Sequence, residues 1–182
     1  MNKIRLIAVC TLLFPLLTIA QGWPSSVNIV ASSSNQTVSV AGDLSSGAIL
    51  DNLRWASNSS NACFVATENV KFEGNHVFYA TRIPPHAVMS ISVNPVANKT
   101  DLSLYAYMSA IQDFHLVPNL PSCVTCEADF KWDRPKKGRV QTAERMIQFS
   151  NPTDHDYNIL IGVTAPRGVT SGAFNLSIRL KT

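Results

Sequence analysis

Past its first twenty residues this chain has no long apolar run. A membrane-spanning helix needs ~20 consecutive apolar residues, and no later stretch approaches that, so we expect no stable membrane insertion. Charge is also scarce: Asp, Glu, Lys and Arg make up 15% of the chain, fifteen basic residues against twelve acidic. Setting aside Lys3 and Arg5 of the leader leaves thirteen against twelve, a balance of +1. That is no electrostatic footprint for nucleic acid. The chain lacks a G-x-S-x-G elbow, a P-loop, an H-E-x-x-H pair and a dinucleotide fingerprint. His76, His86, His115 and His155 are scattered, and Asp154 and Asp156 in "TDHDYN" suit a turn better than an acid pair. Nothing in this inventory argues for an enzyme.

What is there starts with "MNKIRLIAVCTLLFPLLTIA". Lys3 and Arg5 give a short positive start. Leu6 to Ile19 is apolar apart from Cys10, Thr11 and Thr18, with Pro15 interrupting it. Thr18 and Ala20 are small residues at −3 and −1 of a cleavage site. This is the pattern of a secretory signal peptide over residues 1–20, cleaved near Ala20, and it predicts a secreted or periplasmic protein. Cleavage there leaves 162 of the 182 residues. A chain of that size forms one domain and buries about 70% of its unfolded surface. Asn-x-Ser/Thr sequons stand at Asn35, Asn58, Asn98 and Asn175.

Alternation supplies the fold class. Residues 21–62 read as an N-terminal extension with short edge strands, "VNIVA" and "TVSVAG", and a helical turn or two after Gly42. From Cys63 onward the pattern sharpens. "HVFYATRI" alternates, as does "AVMSISVNP", with Val88, Ser90 and Ser92 opposed to Met89, Ile91 and Val93. "DLSLYAYM" sets Leu102, Leu104 and Ala106 on one face. In residues 140–149, Met146 and Gln148 oppose Ile147 and Phe149. "DYNILIGVTA" is almost continuously apolar, as a central strand covered on both faces is. "GAFNLSIRLKT" sends Phe174, Leu176, Ile178 and Leu180 inward. Proline and glycine fall between these runs, where a ladder does not need an N–H. Short strands separated by turns predict an all-β, antiparallel sandwich or barrel.

Within this frame Asp101, Leu102, Leu104 and Tyr105, followed by Tyr157, Ile159, Ile161 and Gly162 and the turn into the last strand, resemble the bacterial pre-peptidase C-terminal domain. The resemblance covers about residues 70–180. It implies a jelly-roll-like β-sandwich over residues 63–182. Such domains are usually appended to a secreted protease, where they bind matrix or substrate or aid secretion, and some bind calcium. This chain departs from the pattern in two ways. We expect no catalytic domain before the module, and the acidic cluster of calcium-binding members is missing, Asp43 and Asp51 being too sparse.

The connection 109–139 is far longer than the ~12–15 residues beyond which an unstructured loop is uncommon, so we expect it to be functional or internally braced. It holds Cys123 and Cys126. With Cys63, three cysteines remain after the leader and its Cys10 are removed. In an oxidising compartment these predict one disulfide and one spare thiol, with all three pairings open. Zinc held by the three cysteines and His115, and thiol redox chemistry at Cys-x-x-Cys, are the competing readings. The same connection holds Phe130, Lys131, Trp132, Arg134, Lys136, Lys137 and Arg139. A solvated hairpin tip is one account of this run. A contact patch for a protein or polysaccharide partner is the other. We therefore expect a non-catalytic, exported binding module with its ligand-binding residues in this run and no cofactor. A metal-binding module, with calcium near Asp101 or zinc at the cysteines, is the alternative. A small secreted hydrolase or thiol oxidoreductase stands third.

Overall fold

The computed structural model describes residues 22–57, 63–97, 100–120, 123–128 and 142–182. The strands are β1 (Val27–Ile29), β2 (Thr37–Asp43), β3 (Ala48–Ile49), β4 (Asn75–Ile83), β5 (Val88–Pro95), β6 (Ser103–Ala110), β7 (Cys123–Glu127), β8 (Arg145–Ser150), β9 (Tyr157–Thr164) and β10 (Ala173–Lys181). Among the described residues the helical elements are three 3-10 turns, Leu44–Ser46, Arg54–Ala56 and Ala66–Lys71.

Two sheets result. One has the order β1-β4-β9-β6-β7, with β3 also paired to β4; the other has the order β2-β10-β5-β8. Every connection except β3–β4 and β6–β7 crosses from one sheet to the other. The fold is therefore the all-β sandwich expected from the alternation. One pairing departs from an antiparallel plan: β1 runs parallel to β4, because the chain visits the other sheet before returning. The edge strands foreseen before Gly42 are β1 and β2, and they extend opposite sheets.

The inner core follows the period of 2. On β5, Met89, Ile91 and Val93 are fully buried, and on β10 so are Phe174, Leu176, Ile178 and Leu180. The register lines up Val38, Ile178, Ile91 and Ile147 across four strands. Facing them from the first sheet are Val77 and Tyr79, Leu104 and Ala106, and Ile159, Ile161 and Val163. Each fully buried aliphatic side chain contributes roughly 1.5–3 kcal/mol relative to exposure.

The first sheet also buries its outer face. Phe78 and Ala80 of β4, Tyr105 and Tyr107 of β6 and Leu160 of β9 pack under Leu53, Ala56, Phe64 and Phe72, which come from the irregular segments around the 3-10 turns. The Phe64 and Phe72 rings stack, with centroids 3.8 Å apart. Tyr105 sits opposite Gly162 of β9. A side chain at Gly162 would collide with the Tyr105 ring, so the glycine is what lets the ring lie across the strand. The central strand β9 is thus covered on both faces, as its continuous apolar run foretold.

The connection 109–139 is braced internally. β7 lies inside it and pairs antiparallel with β6. A register shift between Ala106 and Tyr107 marks a bulge. It places Cys123 and Cys126 together on the outer face, while Val124 packs toward the inner core. β7 left no sequence signal because the strand is short and its one β-branched pair, Val124 and Thr125, is bounded by cysteines on both sides.

Candidate binding surface

The residues expected to make contact, Phe130, Trp132, Arg134, Lys136, Lys137 and Arg139, lie outside the described residues, as does the leader 1–20. Their two stems are described. β7 ends at Glu127 and β8 begins at Arg145, and the two strands are edges of their respective sheets that pack against each other. The two described stems therefore lie at one corner of the sandwich.

Both stems are fastened. On the β7 side a disulfide joins Cys63 to Cys123 across 60 positions of sequence. Lys71 reaches over and donates from Nζ to the Ala128 carbonyl at 3.3 Å, while pairing with Glu68 at 2.9 Å. On the β8 side the buried Arg145 donates from Nε to the Leu102 carbonyl at 3.2 Å. Its Nη1 donates to the carbonyls of Thr142 at 2.8 Å and Glu144 at 2.7 Å. A buried cation is tolerated only where it is well partnered, and here its partners include the carbonyls leading into β8 and the Leu102 carbonyl before β6. Neither Lys71 nor Arg145 was singled out from sequence. An isolated cation beside a strand carries no pattern, and only the fold shows which carbonyls it meets.

The structure pairs two of the three cysteines, Cys63 with Cys123, and a cysteine held in a disulfide offers no thiolate to a metal. Cys126 is the spare thiol. It donates to the Cys63 carbonyl at 2.7 Å. Burial, with smaller contributions from the charges of Glu127 and Glu68, pushes this thiol up to about 11. A redox nucleophile needs the opposite shift. The sequence offered the same warning, since Glu127 adjoins Cys126.

The outer core holds a buried histidine. His76, 2% exposed, donates from Nε2 to the Phe72 carbonyl at 2.8 Å and accepts at Nδ1 from the Tyr105 hydroxyl at 2.8 Å. Both ring nitrogens are satisfied by the neutral tautomer. Burial lowers its pKa to about 4, against the smaller opposing effect of the Phe72 carbonyl. The Tyr105 hydroxyl is pushed well up by burial, with Tyr107 adding to it. The His76–Tyr105 bond links β4 to β6 across the sheet, and the Phe72 carbonyl ties His76 to the cover; the link is structural.

The other histidines sit in turns. His86 meets Asp154 at 2.7 Å and His115 meets Asp113 at 2.6 Å, and among the described residues each imidazole has that one side-chain partner. Asp154 is a turn residue, as expected. No group of three or more His, Cys, Asp or Glu among the described residues gathers closely enough to hold a metal ion. No helix among the described residues is long and apolar enough to cross a membrane.

No protein-family model and no curated protein matches this chain. Solved structures that it resembles share the sandwich at low identity. The periplasmic inhibitor of g-type lysozyme PliG from Aeromonas hydrophila is 8% identical, with a TM-score of 0.44, over 86% of this chain and 98% of that one. The pre-peptidase C-terminal domain of collagenase from Bacillus anthracis is 12% identical, with a TM-score of 0.39, over 87% of this chain and all of that one. The K1 cleaved adhesin domain of Lys-gingipain from Porphyromonas gingivalis W83 is 10% identical, with a TM-score of 0.36, over 80% and 98%.

Proposed function

We propose that this protein is an exported, non-catalytic binding module that contacts a protein or polysaccharide at the cell surface through the segment from Phe130 to Arg139. The observation that carries the reading is the double anchoring of the stems. The Cys63–Cys123 disulfide and Lys71 hold one side, and Arg145 holds the other. A contact segment whose ends are pre-positioned loses less conformational entropy on binding than a free one. Its aromatic and cationic side chains are of the kinds enriched at binding hot spots. Export follows from the leader and accords with a disulfide, which persists in an oxidising compartment.

The test combines three substitutions, Trp132→Ala, Lys136→Ala and Lys137→Ala, in the exported protein. Retention by isolated envelope material is expected to be lost while the strand-dominated circular dichroism is unchanged. Undiminished retention with the fold intact would remove the segment from the interface.

A further inference from the structure

A cleft of about 570 Å³ opens on the outer face of the first sheet, apart from the 129–141 stems. That volume is in the range of ligand pockets, roughly 300–1,000 Å³. Its origin is local. β1 pairs with β4 only from Phe78 to Ala80. The small Ala80 leaves space on the outer face there, and Arg82 follows on the same face beyond the pairing. Trp23 and Phe114 form one wall, edge to face with centroids 5.6 Å apart, and both are half-buried. Ile29, 65% exposed, lies at the mouth.

The polar groups of the cleft are almost all committed. Asn158 donates its amide to the carbonyls of Ala110, Ile111 and Asp113. Thr81 donates to the Ser32 hydroxyl, which in turn donates to the Arg82 carbonyl, each at 3.0 Å. The exception is the exposed guanidinium of Arg82, whose side chain makes no hydrogen bond or ion pair among the described residues. No acidic residue lines the cleft. An aromatic wall and aliphatic floor ending at one unpaired cation complement a molecule with an apolar body and an anionic end. A guanidinium receives a carboxylate through two parallel N–H···O bonds, and the body gains by leaving water.

We propose that this cleft binds an amphipathic carboxylate, its apolar body against Trp23 and Phe114 and its carboxylate on Arg82. The proposal is independent of the role given to the 129–141 segment. The probe is dodecanoate, titrated into the exported protein and followed by calorimetry and by amide and indole chemical shifts. The expected result is shifts at Trp23, Ser32 and Arg82. Arg82→Gln, an exposed change that leaves the core untouched, is expected to weaken dodecanoate about tenfold, the effect of losing one charge-assisted contact. Dodecanol is expected to bind wild type as weakly as dodecanoate binds the variant. Equal affinity of Arg82→Gln and wild type for dodecanoate, or shifts confined to residues outside the cleft, would overturn the proposal.

Discussion

The two faces of the six-stranded sheet are built differently. The inner face meets the second sheet mostly through aliphatic side chains in alternation, with Tyr79 and Phe174 edge to face among them. The outer face meets irregular segments through aromatic rings, a disulfide and the hydrogen bond from buried His76 to the Phe72 carbonyl. Two regular surfaces interdigitate by packing alone. A regular surface under an irregular cover needs specific fastenings, because the cover has few ladder bonds of its own. The adjacent residues Leu104 and Tyr105 show the contrast: one strand, one step, and opposite modes of attachment.

Removing the fastening should have the largest effect. The double change Cys63→Ala and Cys123→Ala releases a loop of 60 residues and is expected to cost about 4 kcal/mol on the chain-entropy account. Urea denaturation measures it. On the inner face Leu104→Ala, at a fully buried site, is expected to cost about 3.5 kcal/mol through lost transfer energy and a cavity. If the disulfide variant loses less than 1 kcal/mol, the cover is held by packing after all.

Acid should act through the outer face. His76 is depressed to about 4 in the fold and titrates near 6.5 when unfolded. Between these values the unfolded chain binds the extra proton, so stability is complete above about pH 6.5 and falls as the pH drops toward 4. The loss is about 3 kcal/mol over that window. His76→Gln is expected to flatten it, as read by unfolding free energies at pH 7 and pH 4.5. Glu73 and Asp43, both held below the usual carboxylate range, respond only at lower pH. Smaller again is Tyr105→Phe, which strands His76 Nδ1 without a donor and is expected to cost about 2 kcal/mol. The alanine changes at Trp132, Lys136 and Lys137 should alter stability by less than about 0.5 kcal/mol, the usual scale for surface positions.

The same contrast decides what the sequence made legible. β5 and β10 could be read from alternation because one face of each meets a flat partner, and β9 from its continuous run because both faces are covered. The cover left no such trace. Phe64 and Phe72 flank the 3-10 turn Ala66–Lys71, where no period links them to Tyr105. His76 could be placed at a strand start, but its two partners come from different elements. β7 was hidden by its shortness and its cysteines. The disulfide was legible as one pair of three, and its partners were fixed only once the bulge beside Tyr107 turned Cys123 toward Cys63. The residues proposed for contact were chosen by composition and lie outside the described residues, while Lys71 and Arg145, which fasten the stems, carried no sequence signal. The Trp23–Phe114 wall joins residues too far apart in sequence for any motif to connect.

The most direct test of the binding reading places a photo-crosslinking amino acid at position 132 in one exported protein. A second protein carries it at position 179, where Arg179 is exposed on the outward face of β10. Both are irradiated on intact producing cells. Adducts to an envelope component from position 132 and none from position 179 are the expected result. Adducts from position 179 alone would contradict the account.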